Sequence, residues 1–310
     1  MQPPKLTLGD TIGIPCISHV ATPTRYNPIQ FTLEQLGFRV KMGAHAYHET
    51  YGYAASAEER AADFNALIAD PEVKMLLFGG GESAAEVLPH LDYELIRRNP
   101  KPICSYSDGT TIVNMVHART GLITYYGQGA GQFDDLRLYD WQHFQTHFLA
   151  GHNATEFLHG GDWQTLHAGQ ASGILIGGYP DLFAMLLAHR HFALDLSKKY
   201  ILFLECPERY VNIGAAATAL AFIEQAPLGD CIAGLLVGHY ANPAPEAYLD
   251  IYRRFGARRN IPVIYCDDFG HGNRHGILPI GATATLDADG CSLGDTAQSL
   301  AHAEPALFPS

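Results

Sequence analysis

The 310-residue chain carries 20 Lys and Arg residues against 32 Asp and Glu residues, a formal net charge of −12. Such a chain lacks the positive surface that binding to a nucleic-acid polymer or an anionic membrane requires. Hydrophobic residues make up 47% of the sequence, which supplies one large core or two medium ones and excludes disordered and fibrous classes. The longest apolar runs, such as residues 232–238, are far shorter than the roughly 20 residues of a membrane-spanning helix.

Strand-like and helix-like segments alternate through the first 130 residues, which is the pattern of βαβ units. This order predicts an α/β domain with a largely parallel sheet covered by helices on both faces. The predicted strands are residues 10–17, 38–42, 73–81 and 102–107. The predicted helices begin at Asn27-Pro28, at the Ser56-x-x-Glu59 capping box and near residue 83, and a fourth spans 110–119.

Residues 129–172 lose this alternation and are rich in aromatic residues, histidine and glycine, which predicts a substrate-facing loop region and then a linker. The alternation returns from residue 173, and an Asp-Gly pair within 277–293 predicts a closing hairpin. We therefore predict two domains, residues 1–150 and 173–310, joined by a linker at 151–172.

Ser107 is the strongest candidate nucleophile, because it ends an apolar strand and begins a helix in the context Ser105-Tyr106-Ser107-Asp108-Gly109. This junction resembles a nucleophile elbow, which exposes a hydroxyl beside free backbone amides. The alternative is a simple helix N-cap. Three glycines at 79–81 form a second strand-to-helix junction, so the two junctions could supply the two amides of an oxyanion hole, or the glycines could form a plain turn.

Two further titratable residues follow apolar strands. Glu205 ends the run ILFLE, where a carboxylate is costly to bury unless it is paired, although it could equally emerge into solvent. His271 stands between Gly270 and Gly272, which give the ring room to reach into a cleft.

Sixteen histidines raise the question of a metal site, but the sequence has no CxxC, H-E-x-x-H or acidic calcium-loop motif. We therefore predict no metal and no cofactor. The six cysteines are widely spaced and read as buried hydrophobic residues in a reducing compartment. Residues 1–15 contain no signal-peptide pattern, so we expect a cytoplasmic location.

These segments, taken together and in order, resemble the LD-carboxypeptidase family of serine peptidases, which includes the microcin C immunity hydrolases. The matching motifs include Leu6-x-x-Gly9-Asp10, Gly80-Gly81, Tyr106-Ser107-Asp108-x-Thr110, the ILFLE strand and Gly270-His271. Where the family has a glycine two residues before the nucleophile, this chain has Ser105.

The resemblance implies Ser107 as nucleophile, Glu205 as acid and His271 as base, with the backbone amides of Gly81 and Asp108 as the oxyanion hole. It also implies a Rossmann-like or flavodoxin-like N-terminal domain and a smaller C-terminal α/β domain that carries the glutamate and histidine. The active site would lie between the domains. A homodimer is expected from the family alone.

The implied function is release of the terminal D-alanine from a murein tetrapeptide. The alternative within the family is cleavage of an amide in an aminoacyl or peptidyl nucleotide, as in the immunity hydrolases. Gly80, Ser83, Tyr106 and Trp141 are the expected substrate contacts. A carboxylate substrate would need a cationic pocket, for which the candidates are Arg137, Arg209 and Arg274.

Aromatic residues in the irregular region could stack an adenine base, or could belong to the core; they are Tyr139, Trp141, Phe144 and Trp163. Two other classes of protein remain as rivals. A non-catalytic small-molecule binding protein could use the same sheet edge, and a metallohydrolase could use the histidines.

Overall fold

The computed structural model describes residues 1–150 and 157–294. Its first sheet contains five parallel strands in the order β2-β1-β3-β4-β5, with antiparallel β11 beside β5. This is the strand order of flavodoxin-like sheets, and the predicted parallel α/β fold is confirmed. The strands are β1 (Thr11–Ile14), β2 (Arg39–Met42), β3 (Val73–Leu77), β4 (Ile103–Ser105), β5 (Thr124–Tyr126) and β11 (Leu278–Ile280).

The helices of this half largely follow the predicted starts. They are α1 (Pro23–Gln35), α2 (Ala57–Ala69), α3 (Tyr93–Arg98), α4 (Thr110–Thr120) and α5 (Leu138–Phe144), which a π-helical turn at Gln145–Leu149 extends. The capping box before α2 is present, because the Glu59 amide bonds the Ser56 side chain and the Glu59 carboxylate bonds the Ser56 amide.

Two helix predictions were wrong in detail. Helix α1 begins at Pro23, five residues before the predicted first helical residue Pro28, because Thr22 is extended and Pro23 has the fixed φ that suits a first helical turn. Residues 84–90 form a 3₁₀ helix instead of an α-helix. Pro89 lies inside it and disfavours α-helical backbone at Leu88.

The second sheet has the order β13-β12-β7-β8-β9-β10-β6, and its four central strands β7 to β10 are parallel. Its strands are β6 (Trp163–His167), β7 (Gln170–Gly178), β8 (Tyr200–Leu204), β9 (Ile232–Val237), β10 (Val263–Cys266), β12 (Thr283–Asp287) and β13 (Ser292–Gly294). The helices that accompany it are α6 (Pro180–Leu187), α7 (Ile213–Gln225) and α8 (Glu246–Arg259).

Two segments differ from the simple two-domain pattern. Strand β6 lies within the predicted linker and pairs with β10 at the sheet edge. The predicted hairpin forms only between β12 and β13, around Asp289-Gly290, whereas β11 crosses to the first sheet and pairs with β5. The chain therefore ties its two sheets together through β11.

Helix α4 also connects the two sheets. Asn114 Nδ2 donates a hydrogen bond of 2.8 Å to the Gly177 carbonyl at the end of β7. The Tyr179 amide donates to Thr110 Oγ1 at 2.9 Å, and a Cβ on Gly178 would lie 2.6 Å from that oxygen. The close approach brings the carboxyl end of β7 next to the amino end of α4.

All six cysteines are free, and five of them are buried. Across the two described ranges, none of the helices combines the length and apolarity of a membrane span.

Candidate active site

Ser107 lies directly after β4, at the start of a 3₁₀ turn (Ser107–Gly109) that leads into α4. Its φ is +57°, a left-handed conformation that costs a non-glycine residue about 1–3 kcal/mol. This sharp turn carries the serine hydroxyl into a cleft at the carboxyl edge of the sheet. The geometry is that of a nucleophile elbow.

Glycines on both sides make room for this turn. A Cβ on Gly80 would lie 2.5 Å from Ser107 Cβ and 2.9 Å from Ser107 Oγ. A Cβ on Gly109 would lie 2.0 Å from Oγ of Ser105, the residue that replaces the expected glycine. Ser105 is completely buried, and the space that it needs comes from Gly109.

The backbone amides of Gly81 and Asp108, two residues that line the cleft, donate to no acceptor in the described part of the chain. The amides on either side of Asp108 are occupied, because Ser107 N–H donates to Tyr126 Oη at 3.1 Å and Gly109 N–H donates to the Tyr106 carbonyl. A free amide at the first turn of a helix is a good donor to a developing oxyanion.

The backbone at Gly81 runs too close to its neighbour for a side chain. A Cβ there would lie 2.3 Å from the Ser18 carbonyl oxygen. The contact explains why this position carries glycine.

The carboxylate of Glu205 is fully buried at the end of β8 and holds the His271 ring. His271 Nδ1 lies 2.9 Å from both carboxylate oxygens of Glu205, and the His271 amide donates to Oε2 at 3.3 Å. Tyr126 Oη donates to Glu205 Oε1 at 2.6 Å. Since Nδ1 is committed to Glu205, Nε2 is the nitrogen that the ring offers to the cleft.

Tyr126 joins this pair to the serine turn. Its hydroxyl accepts the Ser107 amide and donates to Glu205, so one side chain at the end of β5 connects the two halves of the site. Burial, together with the Glu205 charge, raises the pKa of Tyr126 well above its usual value and keeps the hydroxyl protonated.

Gly270 gives the glutamate its space. Its φ is +104°, and a Cβ there would lie 2.7 Å from Glu205 Oε2. The glycine before the histidine is therefore required by the carboxylate, besides leaving the imidazole ring free.

The Asp108 side chain fixes the turn. Its Oδ2 accepts the Ala84 amide at 2.7 Å. Burial raises the pKa of the Asp108 carboxyl, while the hydrogen bond from the Ala84 amide acts in the opposite direction. This bond anchors the nucleophile turn to the 3₁₀ helix that follows Ser83.

The cleft has a volume of about 750 Å³ and lies between the two halves of the chain. It is lined by Ser107, Asp108, His271 and three of the four expected substrate contacts, which are Gly80, Ser83 and Tyr106. The Tyr106 ring lies against His271, with ring centroids 5.2 Å apart.

The fourth expected contact, Trp141, is not at the cleft. It stacks on the buried Phe144 at a centroid distance of 5.5 Å, because α5 presents both rings to the core of the first domain. Trp163 Nε1 donates to the buried Asp268. Neither tryptophan lines the cleft, and each contacts other residues of the protein instead.

Of the cationic candidates, only Arg209 lines the cleft. Arg274 pairs with Asp268 at 3.3 Å, and Arg137 donates to the Asn273 carbonyl. Arg25, which the sequence did not single out, is the second arginine of the cleft.

Sequence reasoning missed several residues at the site, among them Tyr126, Arg25, Tyr179 and Tyr210. Tyr179 and Tyr210 each lie edge-on to His271 at 5.8 Å. Tyr126 had a usable signal, since it is a polar aromatic residue at a strand end directly before Gly127. Arg25 had none, because an arginine in the first turns of a helix is usually solvated.

Three of the remaining histidines that the structure describes have structural surroundings. His143 and His147 are buried on α5 and its extension, and burial lowers their pKa to about 4 and about 3. His275 binds both oxygens of buried Asp140. These three rings pack and bond within the fold and do not line the cleft.

Comparison with known proteins gives a family for both halves of the chain. Residues 12–127 match the LD-carboxypeptidase N-terminal domain, and residues 172–286 match the LD-carboxypeptidase C-terminal domain. A putative carboxypeptidase of Treponema pallidum is 30% identical over 279 residues, which are 82% of each chain. A probable murein peptide carboxypeptidase of Bacillus subtilis is 28% identical and covers 92% of this chain and 91% of its own.

The microcin C7 self-immunity protein MccF of Escherichia coli is 37% identical over 127 residues, 39% of this chain and 37% of its own. Among solved structures, an MccF-like protein from Bacillus anthracis superimposes with a TM-score of 0.84 at 25% identity. The match covers 94% of this chain and 98% of the Bacillus anthracis chain. The two domain matches span more than half of the sequence, in order and on both sheets. The chain therefore belongs to the LD-carboxypeptidase family and is a serine-type peptidase.

Proposed function

We propose that the protein hydrolyses an amide bond with Ser107 as nucleophile, His271 as general base and acid, and Glu205 as the residue that orients the histidine. The observation that carries this proposal is the convergence of three features on one cleft. These are a hydroxyl on a strained turn, a histidine held by a buried carboxylate, and two backbone amides without acceptors.

The chemistry follows from the geometry. His271 Nε2 takes the proton of Ser107 Oγ as the oxygen attacks the scissile carbonyl, and then gives it to the leaving nitrogen. The amides of Gly81 and Asp108 stabilise the oxyanion. Water, activated by the same histidine, releases the acyl group from the serine. Glu205 stays ionised and stabilises the imidazolium.

Ser107 Oγ and the His271 ring are not hydrogen-bonded in this structure, although both line the cleft. Catalytic hydrogen bonds of hydrolases are often long without substrate and shorten when substrate fills the site. We expect the bond to form as the two halves of the cleft close on a ligand.

The proposed substrate carries a carboxylate close to the scissile amide. Arg25 and Arg209 both line the cleft, and neither makes an ion pair with a carboxylate in the described residues. An unpaired arginine in a cleft is suited to bidentate binding of a carboxylate. The terminal D-alanine of a murein tetrapeptide has this chemistry, and the Bacillus subtilis relative is a probable murein peptide carboxypeptidase.

An aminoacyl nucleotide is the second candidate. The Escherichia coli immunity protein has been solved with aspartyl sulfamoyl adenosine, and it is 37% identical to this chain over 127 residues. The cleft offers three tyrosine rings on which a purine could stack, from Tyr106, Tyr179 and Tyr210.

The deciding experiment presents purified protein with a murein tetrapeptide and with aspartyl sulfamoyl adenosine in parallel, and measures the products by mass spectrometry. Release of D-alanine supports the carboxypeptidase, and release of aspartate from the nucleoside supports the immunity-type hydrolase. Cleavage of neither substrate, together with no labelling of the protein by a fluorophosphonate probe, would favour a non-catalytic binding protein. Loss of activity with EDTA would favour the metallohydrolase.

Arg209→Ala should raise KM for the preferred substrate by about tenfold or more, since a charge-assisted bond is worth about 1.5–3 kcal/mol.

Substitution of Gly80 tests how tightly the nucleophile is placed. Gly80→Ala puts a Cβ 2.5 Å from Ser107 Cβ, so the serine must shift, and we expect kcat/KM to fall about 10²-fold. Gly79→Ala is the matched control, because its Cβ would meet only His19 Cε1 at 3.8 Å. Equal activity of the two variants, measured with similar far-ultraviolet circular dichroism, would contradict the packing argument.

A further inference from the structure

A second group of chemically active side chains lies outside the cleft, between the loop that follows β2 and the first turn of α2. His45 and His48 belong to the loop, and Glu59 belongs to the helix. One ligand atom from each of the three lies within 4.8 Å of the other two. None of the three lines the cleft.

His45 is held by a buried carboxylate. Asp63 Oδ1 lies 2.8 Å from His45 Nδ1, and Asp63 Oδ2 accepts the His45 amide at 2.8 Å. The Asp63 side chain is only 6% exposed, and a Cβ on Gly43 would lie 2.4 Å from its Oδ2. Because Nδ1–H donates to the carboxylate, the lone pair of the neutral ring is on Nε2. This arrangement is the usual one behind a metal-binding histidine.

The Glu59 carboxylate is also held by hydrogen bonds. Its Oε2 accepts the Ser56 amide at 2.9 Å and the Thr50 hydroxyl at 3.1 Å. Its Oε1 points toward His48 Nδ1, 3.9 Å away. That separation is longer than a hydrogen bond and leaves an oxygen and a nitrogen facing one another across a gap.

The His45 and His48 rings meet almost at right angles, with centroids 5.1 Å apart. Two imidazoles and one carboxylate oxygen thus converge from a loop and a helix that are already ordered by other bonds. Pre-ordering of this kind lowers the entropy cost of binding.

We infer that His45, His48 and Glu59 bind a divalent transition-metal ion of the Zn²⁺ type, with water in the remaining position and Asp63 orienting His45. Two imidazoles with one carboxylate are a common zinc ligand set, whereas Mg²⁺ and Ca²⁺ prefer oxygen ligands. The two carboxylates also make the site locally negative. Such an ion would join the loop at residues 43–55 to α2 and stabilise the native state, because it binds the folded chain preferentially.

The test uses tag-free protein stripped of metal, titrated with Zn²⁺ by calorimetry and with Co²⁺ by visible absorption. We expect one equivalent to bind at this site and to raise the thermal midpoint. His48→Ala should weaken affinity by about 10-fold or more, and Asp63→Asn by about 10- to 100-fold. Glu59→Gln also weakens binding, yet keeps the helix cap, since glutamine fits a capping box.

His90→Ala is the matched control. His90 faces Glu58 at 3.7 Å, a second histidine–glutamate pair on the same surface without a third ligand. The control should bind Zn²⁺ like the parent. The inference is overturned if the parent binds no Zn²⁺, if Mg²⁺ binds equally well, or if His48→Ala and His90→Ala retain the same affinity. Far-ultraviolet circular dichroism of each variant separates lost binding from lost folding.

Discussion

Replacement of Ser107 by alanine is expected to lower kcat/KM for the identified substrate by about 10⁴- to 10⁶-fold. Residues of a hydrolase triad act as a unit, so loss of the nucleophile removes nearly all of the contribution of the triad and leaves only that of the oxyanion hole and binding. KM should change little, because the Gly81 and Asp108 amides and the cleft arginines are untouched. Single-turnover and steady-state kinetics on both candidate substrates provide the measurement.

A glycine variant separates chemistry from backbone strain. Ser107 has a φ of +57°, which costs a residue with a Cβ about 1–2 kcal/mol relative to glycine. After the extra flexibility of glycine in the unfolded chain is subtracted, Ser107→Gly should raise the free energy of unfolding by about 1 kcal/mol. Ser107→Ala keeps the Cβ and should leave the free energy of unfolding nearly unchanged. Residual hydrolysis within tenfold of the parent in either variant would rule out Ser107 as nucleophile.

Glu205→Gln is expected to reduce kcat by about 10⁴-fold, the size of effect seen when a triad aspartate becomes an amide. The carboxylate is fully buried and holds His271 Nδ1 through both oxygens at 2.9 Å. Glutamine matches the shape of glutamate, but its NH₂ group replaces one of the two oxygens that face His271 Nδ1. A neutral amide also no longer stabilises the imidazolium. We also expect a loss of stability of about 1.5–3 kcal/mol, because hydrogen bonds to a charged group are lost.

Tyr126→Phe is the control variant for Glu205→Gln. It removes the 2.6 Å bond to Glu205 and the partner of the Ser107 amide, but leaves the His271 contact intact. Its effect on kcat should therefore be much smaller than that of Glu205→Gln. Equal losses in the two variants would mean that Glu205 acts mainly by supporting the tyrosine and the serine turn. Urea unfolding of both proteins corrects for differences in stability.

The sequence predicted those parts of the fold that depend on neighbours along the chain. The Ser56-Glu59 capping box fixes the start of α2 because both of its hydrogen bonds are local. The βα alternation predicts parallel strands, since such strands need a crossover between them. The start of α1 was misplaced because Asn27-Pro28 and Pro23 are both plausible local signals. Only Tyr26, Ile29 and Leu33, buried on one face, decide between them.

Pairing between distant strands could not be predicted in the same way. Residues 163–167 read as linker and residues 278–280 as half of a hairpin. Each instead lies at the edge of a sheet and pairs there with a strand more than 90 residues away in sequence. An edge strand gains its stability from a partner that local patterns do not reveal. Trp141 stacks on Phe144 of the same helix, and only the packing of that helix against the buried core shows that the ring does not line the cleft.

At the site, the sequence by itself determined which residues are proposed for the chemistry. Ser107, Glu205 and His271 each follow an apolar strand, and glycines stand where backbones or side chains come close. The tertiary structure decided how they meet. Tyr126 bridges the serine amide to the glutamate, Arg25 reaches the cleft from another helix, and two amides are left without acceptors. Strand ends and glycines are fixed by local backbone geometry, whereas a hydrogen bond across 79 residues exists only once two sheets have packed around α4.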